Sequence, residues 1–216
     1  MVRVRVPATT ANLGSGFDVL GMALHLFNYV EMEVLASGLK IEITGEGRES
    51  IPASGENIVY KIAREVFQLA GCKANGLSIK MENNIPIARG MGSSAAALIG
   101  GAVAANTLCG NVLSTSQLID LASEIEGHPD NVVPAMIGGT TICAKIGRSI
   151  TYRRIEPPAW LTAVVVVPHF ELSTRIAREA LPAKVPMEDV VFNMGRLSLL
   201  LYSFQNGDKD IFREAM

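Results

Sequence analysis

No run of apolar residues in the sequence is long enough to cross a bilayer. The longest nearly uninterrupted one, Ala95 to Ala105, falls well short of the roughly 20 residues a spanning helix needs. The N-terminus, Met1-Val-Arg-Val-Arg-Val6, alternates apolar and basic residues where a signal peptide would place an apolar core, so a strand is expected there. Cysteine is scarce. Cys72, Cys109 and Cys143 are widely spaced and form no C-x-x-C pair. Neither a disulfide framework nor a zinc site is indicated, and reduced thiols in a cytoplasmic setting are expected. An excess of one charge is also missing. The formal net charge is -2, with acids and bases intermixed, which excludes the broad basic surface that draws a protein to nucleic acid.

What is present is a core. The 216 residues are 49% apolar, enough for one large domain or two small ones. Period-two or β-rich runs predict strands at Val2–Val6, Tyr29–Leu35, Leu39–Thr44, Leu77–Glu82, Thr140–Ile146, Ile150–Ile155 and Thr162–Val167. Helical spacing predicts a helix over Ile58–Leu69, capped by Asn57 and stopped by Gly71. A second helix should open at Gly92-Ser93-Ser94 and run to about Leu108. A third should follow Ser114, which has Gln117 in capping-box position, and two more are expected after Ser173 and after Met187. The irregular alternation points to an α+β fold. Pro157-Pro158 marks the expected boundary between residues 1–156 and 157–216, because proline cannot continue a ladder.

Three segments carry chemistry. Asn84-Ile-Pro86-Ile-Ala-Arg-Gly90-Met-Gly92-Ser-Ser94-Ala-Ala-Ala97 is a Gly/Ser-rich loop between a predicted strand and a small-residue helix. Glycines let the backbone approach an oxyanion, and a helix N-terminus adds positive charge, so the context suits nucleotide phosphates. It is not a Walker loop, since no Lys stands in place. The same spacing also fits a tight turn in which Ser93 caps a buried helix. Pro7-Ala-Thr-Thr-Ala-Asn12-Leu-Gly14-Ser-Gly16-Phe-Asp18 reads as a flexible loop around a polar ligand, with Asn12 and Asp18 as its hydrogen-bonding groups, or as a plain connection with an Asp cap. Glu124-Ile-Glu126-Gly-His128-Pro-Asp130-Asn131 concentrates acids, an imidazole and an amide at a helix end. His128 has no partner at zinc-ligand spacing, whereas magnesium asks only for one or two carboxylates plus phosphate oxygens and water. A solvated helix end is the bland alternative.

In this order the three segments resemble the GHMP small-molecule kinases, named for galactokinase, homoserine kinase, mevalonate kinase and phosphomevalonate kinase. P-A-T-T-A-N-L-G-S-G-F-D and E-G-H-P-D-N-V-V-P-A-M-I-G-G are similar to the homoserine kinase branch in particular, and the likeness runs from Val2 to the chain end. It implies a ribosomal-protein-S5-domain-2-like N-terminal domain before a ferredoxin-like one. It also implies ATP-dependent phosphorylation of the side-chain hydroxyl of L-homoserine, a step toward threonine. On this resemblance Pro86, Ile87, Ala88, Arg89, Gly90, Met91, Gly92, Ser93, Ser94, Ala95 and Ala96 bind ATP. Ser94 and Glu126 hold Mg2+, with Glu124 as the alternative. Asn12 and Asp18 meet the hydroxyl or ammonium end of the substrate and are the catalytic candidates, while His128 and Asn131 line the pocket. Arg178 clamps the carboxylate, with Arg175 as the fallback.

The expected partners are L-homoserine, ATP and, as a candidate, a second copy of the chain, with no nucleic acid and no membrane. The resemblance also implies a further Gly-rich motif near the C-terminus. After Gly147 the only glycines are Gly195 and Gly207, so a chain lacking the family's C-terminal part is expected. Two other readings stay open at this level: a related kinase for another small alcohol such as mevalonate, and a catalytically silent nucleotide-binding remnant.

Overall fold

The computed structural model describes residues 1–170 and 174–216, with Thr174 and Arg175 described by their backbone alone. The alternating N-terminus forms β1 (Val2–Ala11), antiparallel to the 16-residue β2 (Leu20–Leu35). β1 continues past Val6 through the stretch expected to be loop, after a register shift between Pro7 and Ala8. Proline is tolerated because, among the described residues, β2 is the only strand β1 pairs with, so one of its edges carries no ladder. β2 starts nine residues before Tyr29, since Gly21, His25 and Asn28 disguise its alternation.

The other edge of β2 pairs with β4 (Gly76–Asn83) along its C-terminal half and with β5 (Thr140–Ile146) at its start. β3 (Gly38–Gly45) lies outside β4, and β6 (Ser149–Ile155) forms a hairpin with β5. Of the pairs among the described residues, only β3 and β4 are parallel, and the crossover that joins them is α1 (Ile58–Leu69), where Asn57 accepts from the Val59 N–H as its cap. α2 (Ser93–Leu108) packs on β1, β2 and α1. α3 (Thr115–Glu126) starts with both halves of the Ser114/Gln117 capping box. The six-residue α4 (Val132–Ile137) is too short to leave a periodic signal.

Val6, Val30, Met32 and Ile79 of the sheet meet Ile62 and Val66 of α1, Leu98 and Ile99 of α2, and Ile119 of α3 in the main core, each no more than 2% exposed. Each such side chain contributes on the order of 1.5–3 kcal/mol. Arg3 pairs with Glu31 and Glu82 at 3.3 and 3.1 Å, and these half-exposed pairs on the sheet surface add little.

The strand expected at Thr162–Val167 does not form. Val164 and Val166 are 85% exposed, and among the described residues no strand lies beside them to complete a ladder. Beyond it lie α5 (Thr174–Glu179), α6 (Met187–Asn206) and a short α7 (Lys209–Ala215) that the sequence pattern does not announce. Ser173, expected to precede a helix, is outside the described residues. Leu200, Phe204 and Ala215 form a second cluster with Leu20, flanked by Leu13 and Val19, so the C-terminal helices rest on the 12–20 loop. The architecture is α+β, as expected.

Candidate active site

Asn28, 2% exposed on β2, accepts from the N–H groups of Asn84 and Ile85 at 2.7 and 2.9 Å and so fixes the start of the Gly/Ser loop. Ala88 within the loop has a positive φ of 53°, a backbone state that L residues hold only when surroundings enforce it. Gly92 is the N-cap of α2, in the left-handed conformation, and no side chain caps the helix. Ser93 therefore does not cap it, and the first-turn amides are left to an anion. A Cβ at Gly92 would sit 1.9 Å from Thr9 Oγ1, so the position accepts nothing larger.

A cleft of about 490 Å³ runs along this loop. Ser50, Ile51, Pro52 and Asn83 form one end, the loop from Pro86 to Ser94 the floor, and Glu126, His128 and Asn131 the other end. The side chains of Ala95 and Ala96 point into the core, fully buried. Arg89 brings one buried guanidinium nitrogen, Nη1, without a partner. Ser94 donates its hydroxyl to Glu126 at 2.7 Å. Glu124 does not line this cleft; it lines a neighbouring groove on α3, together with Asp18 and His128.

Asn12 and Asp18, at the ends of the connection between β1 and β2, both have positive φ, 59° and 56°. Asn12 Oδ1 accepts from the Asp18 N–H at 2.9 Å, which locks the loop. Arg178 reaches back from α5 and donates to both carboxylate oxygens of Asp18, with its Nη1 at 3.0 Å. The Arg178 guanidinium also lies 5.3 Å from the Phe17 ring centre, and its pKa is raised, first by the hydrogen bond to Asp18. The alternative residue, Arg175, lies outside the described side chains.

His128 and Asp130 are buried, and the His128 Nδ1 lies 2.6 Å from Asp130 Oδ1. That hydrogen bond raises the His128 pKa against the opposing effect of burial. Asp18, His128 and Asp130 place ligand atoms within 4.8 Å of one another, and the cation that meets this group is the Arg178 guanidinium. Asn131 accepts from Thr9 Oγ1 at 2.8 Å, joining the third segment to β1 beside Gly92.

All three motifs thus converge on one region. Three contributors went unassigned in the sequence: Thr9, Asn28 and Asp130. Thr9 and Asp130 stood inside the quoted motifs without a role, and nothing local marks Asn28.

Comparison with known proteins fits this geometry. Residues 57–139 match the model for the GHMP kinases N terminal domain. A homoserine kinase of Moorella thermoacetica is 50% identical over 216 residues, covering the whole of this chain and 73% of that protein. The chain belongs to the homoserine kinase family. A second homoserine kinase of that family, from Petrotoga mobilis, is 43% identical over 215 residues, 100% of this chain and 70% of its own length. The crystal structure of homoserine kinase from Cytophaga hutchinsonii superposes with a TM-score of 0.90 at 30% identity, covering 100% of this chain and 70% of that one.

Proposed function

We propose that the chain transfers the γ-phosphoryl group of ATP to the side-chain hydroxyl of L-homoserine. The observation that carries this reading is the cleft in which an uncapped helix N-terminus with its glycine loop faces His128 and Asn131. ATP lays its phosphates on the Pro86–Ser94 loop, with Ile51, Pro52 and Asn83 toward its base. Homoserine is a zwitterion with a hydroxyl. Arg178 takes its carboxylate, Asp18 its ammonium, and His128 and Asn131 hold the hydroxyl end toward the phosphates. Mevalonate carries a carboxylate but no ammonium, so an acidic contact beside an arginine favours an amino acid over it.

Ser94 and Glu126 fit a magnesium ion. One hydroxyl and one carboxylate at 2.7 Å, partly exposed beside the phosphate loop, match a cation that keeps water and phosphate oxygens as its other ligands. When bound, the ion supplies neutralisation of phosphate charge. The chain's own residues position the reactants: the hydroxyl oxygen attacks phosphorus, the bond to the ADP oxygen breaks, and the proton leaves with the transferred group or solvent. A loose transition state of this kind asks for alignment more than for a strong base. With both carboxylate oxygens engaged by Arg178, Asp18 acts as an orienting group. We further place a domain boundary at 156/157, where Pro157-Pro158 follows β6 and the chain passes from sheet to helices.

The test is ADP release by purified protein with ATP, magnesium and either L-homoserine or mevalonate, with Ser94→Ala as control. Homoserine-dependent turnover lost in the variant supports the reading. ATP binding without turnover on either alcohol overturns it.

A further inference from the structure

We propose that Cys72 and Cys109 form a dithiol pair that closes reversibly to a disulfide, a modification site at the far ends of α1 and α2. The two residues are far apart in sequence, and the fold brings them together. Cys72 Sγ lies 4.0 Å from the Cys109 carbonyl oxygen, which places the two residues side by side. Both are partly exposed, so a small oxidant can reach them.

Backbone geometry brings the two residues together. α1 ends in a Schellman reversal, in which the Cys72 N–H bonds to Phe67 O at 2.9 Å and the Gly71 N–H to Gln68 O at 3.2 Å. That turn folds Cys72 back along its helix. Cys109 is the C-cap of α2, its N–H bonded to Ala105 O at 3.0 Å. Between the helices, a Cβ on Gly101 would come 2.9 Å from Val59 O, so α1 and α2 are in near backbone contact at the start of α1.

The chemistry balances with a small-molecule disulfide such as oxidised glutathione. One cysteine thiolate attacks the glutathione disulfide and releases one glutathione thiolate. The neighbouring thiol then attacks the protein sulfur of the mixed disulfide and releases the second glutathione. Two protons and two electrons leave the protein, and dithiothreitol reverses the change. Burial, and after it the Cys72 thiol, push Cys109 up to about 12, which disfavours its thiolate, so closure is expected to be slow at neutral pH and to speed up as pH rises. Cys143, fully buried on β5 and likewise pushed up to about 12, is the internal control.

The test treats the folded protein with oxidised glutathione and maps its peptides without reduction. The expected result is a Cys72–Cys109 cross-link, Cys143 still free, and a dithiothreitol-reversible rise in Tm on the order of 10 °C, because the link constrains a long loop of the unfolded chain. Cys72→Ser and Cys109→Ser should each abolish the rise. Separate glutathione adducts on both cysteines with no cross-link, or a cross-link that forms only in denaturant, would overturn the proposal. Neither readout depends on kinase activity.

Discussion

Ser94, at the start of α2, donates its hydroxyl to Glu126, the last residue of α3, across a 2.7 Å hydrogen bond. Two helices that pack on each other in the main core therefore also meet at the mouth of the cleft. Ser94→Ala and Glu126→Gln should each lower kcat with homoserine on the order of 10²-fold, with the loss partly recovered at high magnesium. Glu124→Gln, whose side chain does not line the cleft, should leave kcat and the magnesium dependence unchanged. An equal loss in the Glu124 variant would move the metal ligand to that residue.

Gly92 offers a test of the loop itself. Its φ of 65° and the 1.9 Å that would separate an added Cβ from Thr9 Oγ1 leave no room for alanine. Gly92→Ala is expected to cost about 1–3 kcal/mol of folding stability from backbone strain and displacement of Thr9. Thermal unfolding reads that cost, and ATP affinity should fall with it because the loop floor must move.

Asp18 and Arg178 should separate binding from turnover. Asp18→Asn keeps the shape but removes the charge that meets an ammonium, so KM for homoserine is expected to rise by roughly tenfold or more while kcat falls less. Arg178→Lys replaces a two-pronged donor by a point charge and should raise KM similarly. Steady-state kinetics in which Asp18→Asn loses only kcat would make Asp18 the proton acceptor instead.

His128 makes stability depend on pH. Its folded pKa is raised by the Asp130 hydrogen bond above the value of about 6.5 held in an unfolded chain. The stabilisation is therefore fully present below about pH 6.5 and is lost as pH rises through the folded value. Tm measured across neutral pH should decline in this chain, and Asp130→Asn should flatten that part of the curve.

Much of this was legible in the sequence, and the reasons differ by element. α1 and α3 have strong apolar periodicity and side-chain caps at Asn57 and Ser114, so their bounds could be read locally. The start of β2 could not, because Gly21, His25 and Asn28 interrupt its alternation and only pairing with β1 and β5 reveals it. Valine-rich composition misled at Thr162–Val167, where a β-rich run without a neighbouring strand makes no ladder. In the site, Ser94 and Glu126 came from motif resemblance, and their contact needed the fold. Asn28 and Thr9 act through buried hydrogen bonds to distant segments, which no spacing encodes. The same holds for the Cys72 and Cys109 pair.

The long reach from Arg178 back to Asp18 also sets an order of assembly during synthesis. Once Asn131 and the β5–β6 hairpin have left the ribosome, every segment lining the nucleotide cleft is present. Arg178 follows the end of that hairpin at Ile155 by 23 residues, a delay of roughly 1–5 s at 5–20 residues per second. On the proposed function, the cleft for ATP is then complete during that interval while the pocket for homoserine still lacks one wall, so ATP would serve as a folding ligand before homoserine could.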